Sequence, residues 1–481
     1  MNQHQYNLQR ANQQINHYRD KVSQGAYRQN FHFCPPVGWL NDPNGFIQYK
    51  GEYHLFYQFN PYAAHWSSMH WGHAKSSDLV TWEHLPVALA PSEFYDEDEN
   101  GGCFSGTAIE KDGKLYLFYT GSVIRDGAVI QTQNIAYSEN GIDFEKAAHN
   151  PIVEVNYPGA SPEFFRDPKV WEHAGKYHML VGTQIDGKGN ALYYTSTDLV
   201  NWETVGPIME TTEDYGFMWE CPDFFEIDGK GVLMISPMGM EQGKVTTLYF
   251  IGKMDYEKGC FIPEYQETID YGCDFYAPQT IPTEDGRRLM IAWQNGWEWM
   301  PWWSEVSFGP TAQENWCGAL SLPREITIQN NRLHFAPMTE LQKYEENQYV
   351  FKNIQVWKEP TLLTTEISES FVLKTKTNHI NGSLELMILN EAGHGDCLKI
   401  QQNQLTYQGA NNPYGKADRT FPISKEEILI YCDSSSLEIF GKESGKAFSI
   451  NTFLKKGART LILSSEEPNE LAEFTITELR I

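Results

Sequence analysis

Three acidic residues stand at comparable places along the chain. Asp42 lies in W-L-N-D-P-N-G (Trp39 to Gly45), Asp167 in R-D-P-K (Arg166 to Lys169) and Glu220 in E-C-P-D (Glu220 to Asp223). Each precedes a glycine by eight or nine residues, namely Gly51, Gly175 and Gly229. Hydrolysis of a glycosidic bond needs two carboxylates flanking it, one to protonate the leaving oxygen and one to attack or to activate water. Glu220, between Trp219 and Cys221, is the candidate acid, because partial desolvation raises a carboxyl pKa. Asp42, beside Asn41 and Asn44, is the candidate nucleophile, kept ionised by polar neighbours. Asp167 follows Arg166, whose charge is expected to hold it ionised, so that it can grip sugar hydroxyls and favour a cationic transition state. Turn chemistry explains any one of these motifs as well as function does. Three in register point to function, since an unpaired carboxylate is a poor core residue.

The elements that must position these acids form a repeat. A glycine, a polar residue and an apolar, aromatic run recur as GEYHLFYQF from Gly51, GKLYLFYTG from Gly113, GKYHMLVGT from Gly175, GKGVLMISP from Gly229 and GRRLMIAWQ from Gly286, about 60 residues apart. Each reads as a turn followed by a buried strand. A second series, SSDLVTWEHLP, SENGIDFEK and STDLVNWETVGP, interleaves with the first and reads as outer hairpins of the same unit. Radial repetition of such units makes a β-propeller. The prediction is an all-β chain: a five-bladed β-propeller over 31–335, whose blade-initial strands bring the acids to one channel mouth, then an antiparallel β-sandwich over 336–481. Residues 1–30 form an N-terminal helical segment, with Ile15, Tyr18 and Val22 on one docking face.

Aromatic residues near the motifs, Trp39, Trp66, Trp71, Phe104, Tyr276 and Trp293, fit a sugar site, with Gln58 and Ser105 as hydrogen-bonding groups. Blade core is an equal reading for each aromatic taken singly. The net charge of −26 argues against nucleic acid and anionic membrane surfaces as partners. The eight cysteines are scattered without a C-x-x-C pair, and the histidines of the first blade lack ligand spacing, so neither metal nor cofactor is expected. The polar first 20 residues carry no apolar signal core, from which a cytoplasmic protein with reduced thiols is expected. A homodimer is left open.

The ordered set W-L-N-D-P-N-G, F-Y-Q-F-N-P, W-G-H-A, F-S-G-T, R-D-P-K and E-C-P-D resembles glycoside hydrolase family 32, the invertases and fructan hydrolases. The resemblance runs from about Arg28 into the C-terminal part, where D-S-S-S-L-E-I-F (Asp433 to Phe440) resembles the family's sandwich signature. It implies a five-bladed propeller with a sandwich and a retaining mechanism through a fructosyl-enzyme intermediate on sucrose or a relative. It also implies Asp42 as nucleophile, Glu220 as acid/base and Asp167 as transition-state stabiliser. Substrate contacts are implied at Asn41, Gln58, Trp66, Phe104, Ser105, Arg166 and Trp293, with Trp39, Leu40 and Tyr276 beside them; Leu40 stands where the family often has Met, a substitution of similar volume. The segments F-H-F-C-P-P-V-G-W and M-H-W-G-H-A most resemble bacterial sucrose-6-phosphate hydrolases, which makes Lys75, Arg125, Lys169 and Arg287 candidate phosphate partners. Rival readings are a fructan hydrolase or fructosyltransferase of the same family, an arabinose-polymer glycosidase, and a non-catalytic sugar-binding propeller.

Overall fold

The structure is a computed structural model that describes residues 1–210, 215–240, 247–297, 309–376, 380–409 and 419–481. Five antiparallel sheets follow one another along the chain, led by the strands Gly38–Tyr49, Gly102–Lys111, Ala160–His173, Met218–Ile227 and Tyr276–Pro282. Each is a four-stranded sheet in chain order, and the short strand Trp316–Cys317 adds to the first in parallel, against Gly38 and Trp39. The leading strand of each sheet lies against that of the next, and the fifth returns to the first, so the five close into a ring.

The repeated glycines make the turn after each leading strand. Two-residue hairpins whose twist matches the strands need positive φ at both central residues, which favours glycine at the second. The pairs Lys50-Gly51, Asp112-Gly113, Ala174-Gly175 and Asp228-Gly229 have this geometry, with φ near +50° and then +74° to +80°. The fifth repeat uses a longer loop around Gly286. The interleaved series folds into one turn between third and fourth strands. In two copies Ser76 and Ser196 accept the amides of Leu79 and Leu199, and Asp78 and Asp198 accept the two amides that follow. Leu79 and Leu199 take φ of +65° and +75°, at a cost on the order of 1 kcal/mol each. The third copy places Gly141 there, at φ +78°.

Beyond the ring, two six-stranded antiparallel sheets share one apolar core of residues such as Phe371, Leu386, Ile430 and Phe474. The expected boundary at 335 falls inside the last strand of the fifth sheet, Arg332–Pro337; the sandwich begins at Glu345, after the 3-10 helix Thr339–Tyr344. The N-terminal helix Gln3–Ser23 opens on a capping box between Asn2 and Gln5 and docks on the outer strand of the first sheet. It buries His4, Ala11 and Val22, with Leu8 and Ile15 half-buried on the same side. Tyr18, expected on that face, is instead 37% exposed at its edge.

The segment joining this helix to the ring is strapped down by the sandwich. Asp433 accepts the amides of Asn30, Phe31 and His32 at 2.9 to 3.2 Å, as well as the His32 ring. Ser435 donates to the carbonyl of Tyr27 and Ser436 to the side chain of Gln29. Glu438 reaches His32 at 3.0 Å and Arg324 of the fifth sheet at 2.7 Å, and Arg324 also pairs with Asp270 at 2.8 Å. The D-S-S-S-L-E-I-F run thus binds all three parts of the chain together.

Candidate active site

A one-residue register slip occurs at the same level of all five leading strands. It falls between Leu40 and Pro43, Phe104 and Gly106, Arg166 and Lys169, Glu220 and Asp223, and Tyr276 and Gln279. A bulge interrupts strict alternation and re-aims a side chain, which is why bulges cluster at functional sites. Asp167, Cys221 and Ala277, each before a proline, take φ of +65°, +45° and +53°, a strained conformation costing on the order of 1 kcal/mol or more apiece. The acid-bearing motifs are therefore bulge sequences, and the ring brings the bulges to one place.

There four of the five, the fifth sheet's excepted, line a cavity of about 430 Å³. Its wall includes Asn41, Asp42, Gln58, Trp66, Phe104, Ser105, Arg166, Asp167 and Glu220. Trp66 and Phe104 meet edge-to-face at 5.8 Å. Trp39, Leu40, Tyr276 and Trp293 lie behind this wall. Trp39 is fully buried, donates from its ring nitrogen to Asn41 at 2.8 Å and packs against Trp293 and Trp297. Leu40 and Trp293 are fully buried as well. Tyr276 donates its hydroxyl to Glu220 Oε2. Trp297, Gln131, Phe164 and Met238 reach the cavity without having stood in any motif. The only sequence signal among them is that Trp297 follows Trp293 by one helical turn's worth of residues in an aromatic-rich stretch.

Asp42 and Asp167 meet around Cys221. Ser105 donates to Asp42 Oδ2 at 2.6 Å, and the Cys221 thiol lies 3.6 Å from that oxygen and 3.5 Å from Asp167 Oδ2. The Cys221 amide donates to the same Asp167 oxygen at 2.9 Å, whereas Asp42 Oδ1 is buried with no hydrogen-bond partner. Burial pushes the Asp42 carboxyl up to about 6; the Ser105 hydroxyl pulls it back and Glu220 pushes it further. Burial likewise pushes Asp167 up to about 7, against the pull of Arg166.

Three expectations are corrected. Arg166 does not pair with its neighbour Asp167: its guanidinium donates twice to Glu220 Oε1, at 3.1 and 2.9 Å. Asp42 and Asp167 are not held at ordinary carboxylate values, because few donors replace the water that burial removes. Nor does Trp219 cover Glu220; its ring packs away from the cavity against Tyr215 and Phe250. Adjacent residues of a strand point to opposite faces, so the partner comes from the next sheet and not from the next residue. Three candidate phosphate partners are committed elsewhere. Lys169 is buried on Asp223 at 3.0 Å, Lys75 pairs with Glu52 and Glu83, and Arg287 with Asp285 and Glu340. Arg125 lies on Asp98 at 3.5 Å. Among the described residues no cluster of three or more histidine, cysteine or acidic side chains could hold a metal, and no helix is long and apolar enough to cross a membrane.

Converging carboxylates in a sugar-sized cavity of an all-β ring are the furniture of a glycoside hydrolase. Residues 32–337 match the model of the glycosyl hydrolases family 32 N-terminal domain, and the chain belongs to that family. It is 33% identical to a sucrose-6-phosphate hydrolase of Bacillus subtilis across 96% of both chains, and 36% identical to one of Zymomonas mobilis across 85% of this chain and 83% of that one. Among solved structures, a Bombyx mori β-fructofuranosidase of the family superposes with a TM-score of 0.85 at 33% identity, covering 98% of each chain. A variant of that enzyme has been solved in complex with sucrose, with the same TM-score at 32% identity.

Proposed function

We propose that this protein is a retaining β-fructofuranosidase that hydrolyses sucrose or sucrose 6-phosphate. The five sheets are the blades of a five-bladed propeller that carries the site, and the two six-stranded sheets are a separate sandwich domain. The observation that carries this reading is the trio of carboxylates on equivalent bulges, two of them, Asp42 and Asp167, buried and short of hydrogen-bond donors.

Asp42 is the nucleophile. Its carboxylate attacks C2 of the fructosyl unit as the C2–O bond to the leaving sugar breaks. Glu220 gives its proton to that leaving oxygen. Two donors from Arg166 occupy Oε1, so the proton sits on Oε2, the oxygen facing Tyr276. In the second half Glu220, now a carboxylate, takes a proton from water; the water oxygen bonds to C2 and Asp42 leaves. The transition state on either side carries positive charge on the sugar ring. That charge supplies what burial has withheld from Asp42 and Asp167: both are poorly compensated by the protein's own donors and well compensated in the transition state. Stabilisation that appears only at the transition state accelerates the reaction.

The test is the specificity constant of the purified protein on sucrose and on sucrose 6-phosphate, in one assay with free fructose as the readout. A charge-assisted phosphate contact is worth about 1.5–3 kcal/mol, or on the order of ten- to a hundred-fold in favour of the phosphorylated sugar. Equal constants mark a general invertase. Release of fructose from neither sugar refutes the reading.

A further inference from the structure

Gln131 stands outside every motif. It lies on the third strand of the second sheet, buried to 3% exposure, yet it lines the cavity. Its Oε1 accepts two donors from the third sheet: the amide of Phe165 at 2.9 Å and Nη1 of Arg166 at 3.2 Å. The other side of the same guanidinium, through Nε and Nη2, grips Glu220 of the fourth sheet. Arg166 is thus bracketed between a neutral acceptor and a carboxylate, each from a flanking sheet.

We propose that Gln131 is a positioning residue for the acid/base: it fixes the Arg166 guanidinium so that two donors face Glu220, and it does so without a charge that would compete for them. This rests on the reading of Glu220 as acid/base. The amide oxygen matters because it is an acceptor strong enough to orient Nη1 and too weak to draw the guanidinium away. A carboxylate at this position would offer a second ion pair and divide Arg166 between two partners. Glu220 is faced by Arg166 and Asp167 from the third sheet, Asp42 from the first, Tyr276 from the fifth and Cys221 beside it. Arg166 is the only cation of that set, so its placement sets the one positive charge that faces the acid.

The experiment is the pH profile of kcat/KM on sucrose for wild type, Gln131→Leu and Gln131→Glu, with thermal midpoints alongside. The Glu variant keeps the acceptor for the Phe165 amide and so guards against loss of fold. Gln131→Leu is expected to lower kcat about tenfold, a loss of transition-state stabilisation read from the rate ratio. Withdrawing a cation, or adding an anion, makes the acid hold its proton to higher pH. The alkaline limb therefore moves up, by about half a unit in the Leu variant and further in Gln131→Glu. Folded variants with an unmoved alkaline limb overturn the inference, whatever their rates, because a merely structural glutamine would alter rate and midpoint alone. Glu220→Gln separates the two levels. If it removes the limb while the Gln131 variants leave it in place, only this inference fails; if it leaves rate and limb unchanged, the assignment of the acid itself fails.

Discussion

Two sets of buried carboxylates in this molecule have been given opposite environments. At the junction of the helix, the ring and the sandwich, Asp433 accepts four backbone amides and a histidine ring, and Glu438 accepts from His32, Arg324 and the Leu322 amide. Burial opposes their ionisation, but these donors and cations outweigh it, holding Asp433 below the ordinary range and Glu438 down at about 2. His32 between them is raised to about 9: burial works against its charge, and the two carboxylates overcome it. In the cavity the same burial acts on Asp42 and Asp167 with far fewer donors, and both are pushed up, to about 6 and about 7. Burial is common to both sets; the donors and charges that face each carboxylate decide the sign. The junction uses buried charge for cohesion, whereas the cavity leaves it in deficit, which in the proposed mechanism a cationic transition state makes good.

The contrast is broken most sharply by single substitutions. Asp42→Asn is expected to cut kcat on the order of ten-thousand-fold, as loss of a covalent nucleophile does. The same change should stabilise the fold by about 2 kcal/mol near pH 7, since it removes a carboxylate whose ionisation burial opposes. Steady-state kinetics and urea denaturation read the two effects. At the junction the expectation reverses: Asp433→Ala leaves the charged His32 and four amides short of their acceptor, and should cost about 3–5 kcal/mol of stability. A loss below about 1 kcal/mol would show the strap to be ornamental.

The two sets also separate by pH. His32 has a folded value above its unfolded one, so its contribution is fully present below about 6.5 and is lost as pH rises through about 9. Glu438 has a folded value below its unfolded one, so its contribution is present above about 4.5 and lost as pH falls toward 2. As the proposed nucleophile Asp42 must be ionised, so kcat/KM should fall as pH drops through about 6, well inside the range where the junction is intact. Thermal midpoints and rates over the same pH series check both. The smallest effect is expected for Cys221→Ala, which removes a weak donor shared by Asp42 and Asp167. The acid limb should move up by a few tenths of a unit and kcat fall a few-fold.

Much of the architecture was legible because its causes are local. A glycine that must take positive φ marks every first hairpin, and the Ser-x-Asp or Ser-x-Asn turns mark the outer ones. The acids were legible for a related reason: a bulge needs unusual residues, and D-P, C-P and A-P stand out against an alternating strand. The partners of the acids were not legible. Arg166 sits next to Asp167 in the chain and serves Glu220, 54 positions away. Gln131 carries no signature, since its role comes from sheet-to-sheet packing. The pKa directions were misjudged at Asp42 and Asp167 because the deficit of donors is a property of the assembled cavity, in which sequence neighbours face elsewhere.

In the proposed mechanism the under-compensated Asp42 forms the bond to the sugar. Turnover of sucrose quenched rapidly in acid, followed by proteolysis and peptide mass mapping, tests it directly. One fructosyl group is expected on the peptide containing Asp42 and none in Asp42→Asn. A fructosyl group on a peptide that lacks Asp42, or an Asp42→Asn variant that turns over at the wild-type rate, would contradict it.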